Sequence, residues 1–254
     1  MSGSRSSSGI PGRALLAEFV GTAMLVTVVI GSGIAAEQLS PGNTGLQLLQ
    51  NSTATVLGLA VLILVFGPAS GAHFNPVVTT VDWWFGRRTG GLPLPHVGLY
   101  AIAQILGAIA GAVLANLMYD LAAVDISGHD RATAPVLLAE VVATAGLIVL
   151  IFALARTGRA SLSAAAVGAY IGAAYWFTSS TSFANPAVTI GRIFSDTFAG
   201  IAPASVAPFI AAQIVGALIG AALVVALYPD VEAAAENVVV PHEETTFAEI
   251  KTAV

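Results

Sequence analysis

The chain has 254 residues, 56% of them hydrophobic and only 9% charged, where a soluble domain carries roughly a quarter charged residues. About 20 apolar residues cross a bilayer as one helix, so this length holds roughly six crossings with short connections and leaves little for a separate soluble domain. A net charge of -5 with nine Lys plus Arg denies it the basic surface that nucleic-acid binding requires. The absence of cysteine excludes disulfides, thiolate metal sites and a cysteine nucleophile.

In chain order, residues 1–12 are rich in Ser and Gly. The apolar run behind them is too long for a signal peptide and lacks a small-residue cleavage site, so they read as a cytosolic tail. Apolar runs then cover about 14–36, 47–67, 96–118, 134–155, 162–180 and 206–228, each near bilayer-crossing length. Beyond Tyr228-Pro229 the chain carries Glu232, Glu236, Glu243, Glu244, Glu249 and Lys251, a solvated tail over 229–254. Cytosolic termini put Arg5, Arg13, Arg87, Arg88, Arg156, Arg159 and Lys251 inside and leave Arg131 and Arg192 outside. That split obeys the positive-inside rule, and the short loops and tails point to the inner membrane of a bacterium.

Three blocks recur in the same order. Ala17-Glu18-Phe19-Val20-Gly21-Thr22-Ala23 is answered by Ala139-Glu140-Val141-Val142-Ala143-Thr144-Ala145, and Phe74-Asn75-Pro76-Val77-Val78-Thr79 by Ala184-Asn185-Pro186-Ala187-Val188-Thr189. Ala103-Gln104-Ile105-Leu106-Gly107, with Gly111 and Tyr119, matches Ala212-Gln213-Ile214-Val215-Gly216, with Gly220 and Tyr228, at a constant offset of 109. Repeat one covers about 13–119 and repeat two about 134–228. Three spans per half is an odd number, so the second half enters the membrane upside down. The fold class is an all-α membrane protein with an inverted 3+3 repeat, a design that places its transport path where the halves meet.

The two Asn-Pro blocks lie in stretches, Gly67 to Phe85 and Thr178 to Phe194, that are neither full spans nor ordinary loops. Pro suits the first helical turn and Asn before it is a favoured N-cap, so each stretch reads as a re-entrant half-helix. Irregular backbone at membrane depth is tolerated only where protein or a water-filled cavity covers it. Inversion makes the half-helices meet N-terminus to N-terminus, with Asn75 and Asn185 facing one lumen. Two positive helix ends there disfavour cations, hydronium included.

Gly71-Ala72-His73-Phe74-Asn75-Pro76-Val77 and Ser182-Phe183-Ala184-Asn185-Pro186-Ala187 resemble the paired Asn-Pro-Ala boxes of the aquaporin, or major intrinsic protein, family. The segment from Ala17 to Thr22 resembles that family's first-helix signature, and the resemblance covers about residues 13–228. It implies six transmembrane helices, two re-entrant half-helices and a homotetramer with one pore per subunit. Pores of this family are themselves the standard example of cation exclusion by opposed half-helices.

In that family the solute is chosen at a constriction beside the boxes, formed by an Arg directly after the second box with residues on helices two and five. Here the position after Asn185-Pro186-Ala187 is Val188. Gapless counting from the boxes carries the other positions to Thr55, Ala173 and Ser182. A Thr, Ala and Val constriction is wide and has no fixed charge, which points to small neutral solutes: glycerol-like polyols, urea and metalloid acids such as arsenous acid, with water. Bacterial members lacking that Arg are associated with arsenic handling. No cofactor or metal is implied.

Arg192 lies seven residues past Asn185 and reads as a snorkelling Arg near Asp196, with a pore-mouth role as the alternative. Glu18 and Glu140 are intramembrane carboxylates, functional by default. Their symmetry and the family resemblance suggest bracing of the re-entrant segments. His73, in its family-like context, reads as loop-fixing or pore-lining. Gly107 with Gly111 and Gly216 with Gly220 form small-xxx-small patterns, read as packing of helices three and six within the chain. A water-selective pore, a proton-coupled transporter using Glu18 and Glu140, and a scaffold with a closed pore are the alternatives. No enzymatic constellation appears.

Overall fold

The computed structural model describes residues 12–88 and 91–229. Most of the two tails therefore lies outside the described residues. Among the described residues six helices are long and apolar enough to span a membrane: α1 (Gly12–Leu39), α2 (Thr44–Ser70), α4 (Leu94–Met118), α5 (Ala134–Arg156), α6 (Ser163–Phe177, which a preceding 3-10 turn extends to a span over Ala160–Phe177) and α8 (Pro203–Leu227). Two short helices, α3 (Pro76–Gly86) and α7 (Pro186–Gly191), begin at the Asn-Pro boxes. No strand occurs among the described residues.

The long helices are apolar all round, as helices in lipid must be. Their outward faces expose Leu57, Leu64, Leu106, Leu138 and Leu218, while the inward faces bury small residues such as Ala108, Ala112, Ala143 and Ala217. α1 packs on α4 and α5 on α8, the same pairing in both halves, and α2 packs on α6 across them.

The glycine pairs make the first of these contacts. A Cβ at Gly107 or Gly111 would overlap the carbonyl oxygens of Phe19 or Ala23 on α1, and at Gly216 or Gly220 those of Val141 or Ala145 on α5. The packing is intrachain as expected from the small-residue pattern, but each pair faces the first helix of its own repeat rather than joining helices three and six. Thr27 Oγ1 donates to Gly111 O at 3.1 Å across the same contact. Gly191 brings α7 equally close to Ala108 of α4, which seats the second half-helix.

Two helix ends depart from the sequence expectation. α2 continues through Pro68 to Ser70, past the limit of its apolar run. The second half-helix is a helix only to Gly191, with a 3-10 turn over Arg192–Phe194. The α4–α5 connection runs over that turn: Ser127 N donates to Ile193 O at 2.8 Å, and Arg131 Nε to Gly200 O at 2.7 Å. Ser205 Oγ donates to Asp130 at 2.7 Å and holds that carboxyl below its ordinary pKa, so it stays anionic in this clamp.

Gly111→Ala is expected to destabilise the protein by about 2–4 kcal/mol, since backbone faces the new methyl and must move. Gly98→Ala, whose Cβ meets nothing within 4 Å, is the control and is expected to be neutral or stabilising. Thermal unfolding in detergent separates the two.

Candidate functional site

Each half-helix is built the same way from its box. Asn75 (φ -152, ψ 116) and Asn185 (φ -158, ψ 113) are extended N-caps. Asn75 Oδ1 accepts from Val77 N at 3.1 Å, and Asn185 Oδ1 from Ala187 N at 2.9 Å and Val188 N at 3.3 Å. Pro76 and Pro186 occupy the first helical position, where no N–H is required.

The segments entering the boxes pass repeatedly through left-handed backbone: Gly71, Ala72 and Phe74 have φ 86, 49 and 49, and Thr181, Ser182 and Ala184 have φ 59, 50 and 46. This conformation costs roughly 1–2 kcal/mol at each non-glycine residue, so something must hold it. Glu18 does so on one side. Its Oε1 accepts from Ser70 Oγ at 2.6 Å and His73 N at 3.0 Å, and its Oε2 from Phe74 N and Gln104 Nε2, both at 2.7 Å. Glu140 matches it on the other, accepting from Phe183 N at 2.8 Å, Ala184 N at 2.9 Å and Gln213 Nε2 at 2.7 Å. Both carboxylates are wholly buried and serve only as acceptors.

Gln104 and Gln213 then donate to Thr79 Oγ1 and Thr189 Oγ1 at 3.0 and 2.9 Å, and these hydroxyls donate to Asn75 O and Asn185 O at 3.0 and 2.8 Å. Carboxylate, amide, hydroxyl and box form one chain in each repeat. The sequence reading gave Gln104, Gln213, Thr79 and Thr189 no role, although all four recur in the repeat blocks.

The halves are joined at their tips. Asn75 Nδ2 donates to Ala184 O at 2.8 Å, and Asn185 Nδ2 to Phe74 O at 2.7 Å. An Asn amide carries two N–H donors, so each keeps one for the cavity that both side chains line. That cavity has two unlike walls. Leu25, Val29, Leu59, Ile63, Leu147, Ile151, Val167 and Ile171 are aliphatic, and the box segments opposite present polar backbone and the two amides.

Of the four counted constriction residues, Thr55, Ser182 and Val188 line this cavity. Ala173 does not: it is exposed on the outer face of α6. At about 100° per residue it lies roughly 200° from both Ile171 and Tyr175, which do line the cavity. Tyr175 is therefore the residue of α6 beside Thr55, its hydroxyl 3.2 Å from Thr55 Oγ1. Counted back from the second box, the gapless count runs two residues too far.

Arg192 also departs from its reading. It is 3% exposed, lines the cavity and does not snorkel. Its Nε donates to Ala199 O, and its guanidinium lies 3.4 Å from the Phe183 ring centroid. Asp196, near which it was placed by the sequence, accepts from Gly128 N at 2.9 Å. The cavity therefore has a fixed charge that Val188 alone would not give it. His73 lines the other end, Nδ1 3.1 Å from Thr79 Oγ1 and Nε2 3.8 Å from Asp82 Oδ2. No cluster able to hold a metal occurs among the described residues.

A family model described as Major intrinsic protein matches residues 5–182 and, again, 161–252. The chain belongs to the major intrinsic protein family. Among its relatives, the aquaglyceroporin AqpS of Rhizobium meliloti (strain 1021) is 46% identical over 211 residues, 83% of this chain and 88% of that one. A probable aquaporin TIP3-2 of Oryza sativa subsp. japonica is 37% identical over 177 residues, 65% of this chain and 63% of that one. The X-ray structure of the aquaglyceroporin from Plasmodium falciparum has the same fold, with a TM-score of 0.64 over 88% of this chain and 100% of that one at 20% identity. The major intrinsic protein family is a family of membrane channels.

Glu140→Gln places an amide donor where only donors converge. It is expected to lower stability by about 2–4 kcal/mol by leaving a buried N–H unpaired, read as a fall in the detergent-solubilised unfolding temperature of several degrees or more. An unchanged temperature would count against an anionic acceptor at this position.

Proposed function

We propose that this chain is a passive channel for small uncharged solutes, glycerol-like polyols, urea and neutral metalloid acids such as arsenous acid, together with water, and that it excludes protons and other ions. The observation that carries this reading is the cavity in which both box asparagines keep a free donor opposite an aliphatic wall. A solute with hydroxyl groups on one side and carbon or a bare edge on the other matches both walls as it passes. The aquaglyceroporin name of the bacterial relative agrees with a polyol-sized solute, and Val188 in place of a cation after the second box supports room for it.

The two helix N-termini that face each other at the boxes disfavour cations. Proton coupling through Glu18 and Glu140 has little to work with, because both act as acceptors within the braces and neither lines the cavity. The subunits form a homotetramer in the bacterial inner membrane, with both termini cytosolic. Exposed apolar helix faces supply the surface for lipid and for neighbouring subunits. A water-selective pore is the second reading, favoured by Tyr175 and Arg192, both bulkier than the residues counted for the constriction.

Stopped-flow light scattering on proteoliposomes, with arsenous acid uptake by the same vesicles, tests the proposal. Glycerol and arsenous acid entry well above that of empty liposomes is expected. Fast water flux with both solutes excluded would establish the water-selective reading instead. Val188→Arg is expected to reduce glycerol flux more than water flux, and an unchanged ratio would remove Val188 from the selection of solute.

A further inference from the structure

Arg192 is the largest polar group of the cavity that neither the boxes nor their braces employ. Its backbone N–H donates to Val188 O, so it sits one helical turn beyond Val188 on the same side of the half-helix. A helical side chain leans toward the N-terminus of its helix and covers the preceding turn. Arg192 therefore leans back over the turn that carries Val188. Phe183, from the segment entering the box, stacks on the guanidinium at 3.4 Å and backs it from one side.

A guanidinium has five N–H donors. Nε is satisfied by Ala199 O, and the Nη groups have no acceptor and no carboxylate partner among the described residues. A buried, unpaired charge is costly unless something meets it. Here the side chain borders the cavity together with Thr55, Tyr175, Ser182 and Val188, so the unmet donors have solute as their partner.

We propose that Arg192 supplies the cation and the donor fork of this channel's constriction from one turn beyond the usual place, with Tyr175 as its aromatic counterpart on α6. The ligand class is the acceptor oxygen of a small uncharged hydroxylated solute. The arrangement joins two features that Val188 alone separates: an apolar position directly after the box, and a fixed positive charge at the same level. This assignment rests on the channel reading above.

Its test uses proteoliposomes of the full chain, with glycerol and water permeability and proton leak measured on the same vesicles. Arg192→Met keeps the length of the stem and removes charge and donors. It is expected to raise proton leak at least about tenfold, and Val188→Arg added to it is expected to return the leak to the wild-type level. Arg192→Lys keeps the charge but not the planar fork. It is expected to leave proton exclusion intact and to shift the glycerol-to-water ratio at least about twofold.

Wild-type leak and wild-type ratio in Arg192→Met would overturn the assignment while leaving the channel reading in place. If Arg192→Met fails to reconstitute as folded protein, Arg192→Lys decides: a wild-type glycerol-to-water ratio there overturns the assignment. Absent flux in wild-type vesicles would bring down the channel reading and this assignment with it.

Discussion

The two amide-to-carbonyl bonds that cross between the boxes, Asn75 to Ala184 and Asn185 to Phe74, fix everything else about the site. They set the separation of the half-helix tips and turn the remaining N–H of each Asn toward the cavity. They also demand that the carbonyls of Phe74 and Ala184 face each other's repeat, which requires the left-handed backbone at those residues. That backbone in turn demands an acceptor for the N–H groups it turns away from the cavity, and Glu18 and Glu140 are those acceptors. The charge of each carboxylate is explained by donors that converge on it rather than by any chemistry it performs.

The same constraint explains why so much of the remaining sequence is small and apolar. The carboxylates reach the box segments only if α1 and α5 lie close to α4 and α8, and glycine at four positions permits that approach. Solvation inside the lumen comes mainly from the box side, because apart from Thr55 and Tyr175 the lining residues of α1, α2, α5 and α6 are aliphatic. Thr55, Tyr175, Val188 and Arg192 line the same cavity, and on the proposed channel reading they are the residues that select by size and hydrogen-bonding pattern.

Most of the architecture was legible in the sequence because it is written twice. The Glu, Asn-Pro and Gln-Gly blocks repeat in one order, and an odd number of spans per half makes the repeat inverted. The features that escaped are those that break the repeat or depend on rotation about a helix. Ala173 was reached by counting across the junction between α6 and the box segment, where an error of two residues moves a side chain to the opposite face, and Tyr175 was missed for that reason. Arg192 was read as an interfacial residue because distance along the helix was counted from its Cα. Its side chain leans back toward the box, and the α4–α5 connection covers the end of the half-helix. The lengths of α2 and α7 also differ from the apolar pattern, since Pro68 is accommodated inside α2 and the helix of the second box gives way to a 3-10 turn after 6 residues.

The most direct measurement of the contact between boxes is a double-mutant cycle on unfolding stability with Asn75→Ala, Asn185→Ala and the double variant. Reciprocal bonds through one shared contact predict non-additivity: the double variant loses less than the sum of the single losses, by about 1 kcal/mol or more. Strict additivity would contradict the account, since it would mean that each Asn serves only its own half-helix and that the two boxes are held in place independently.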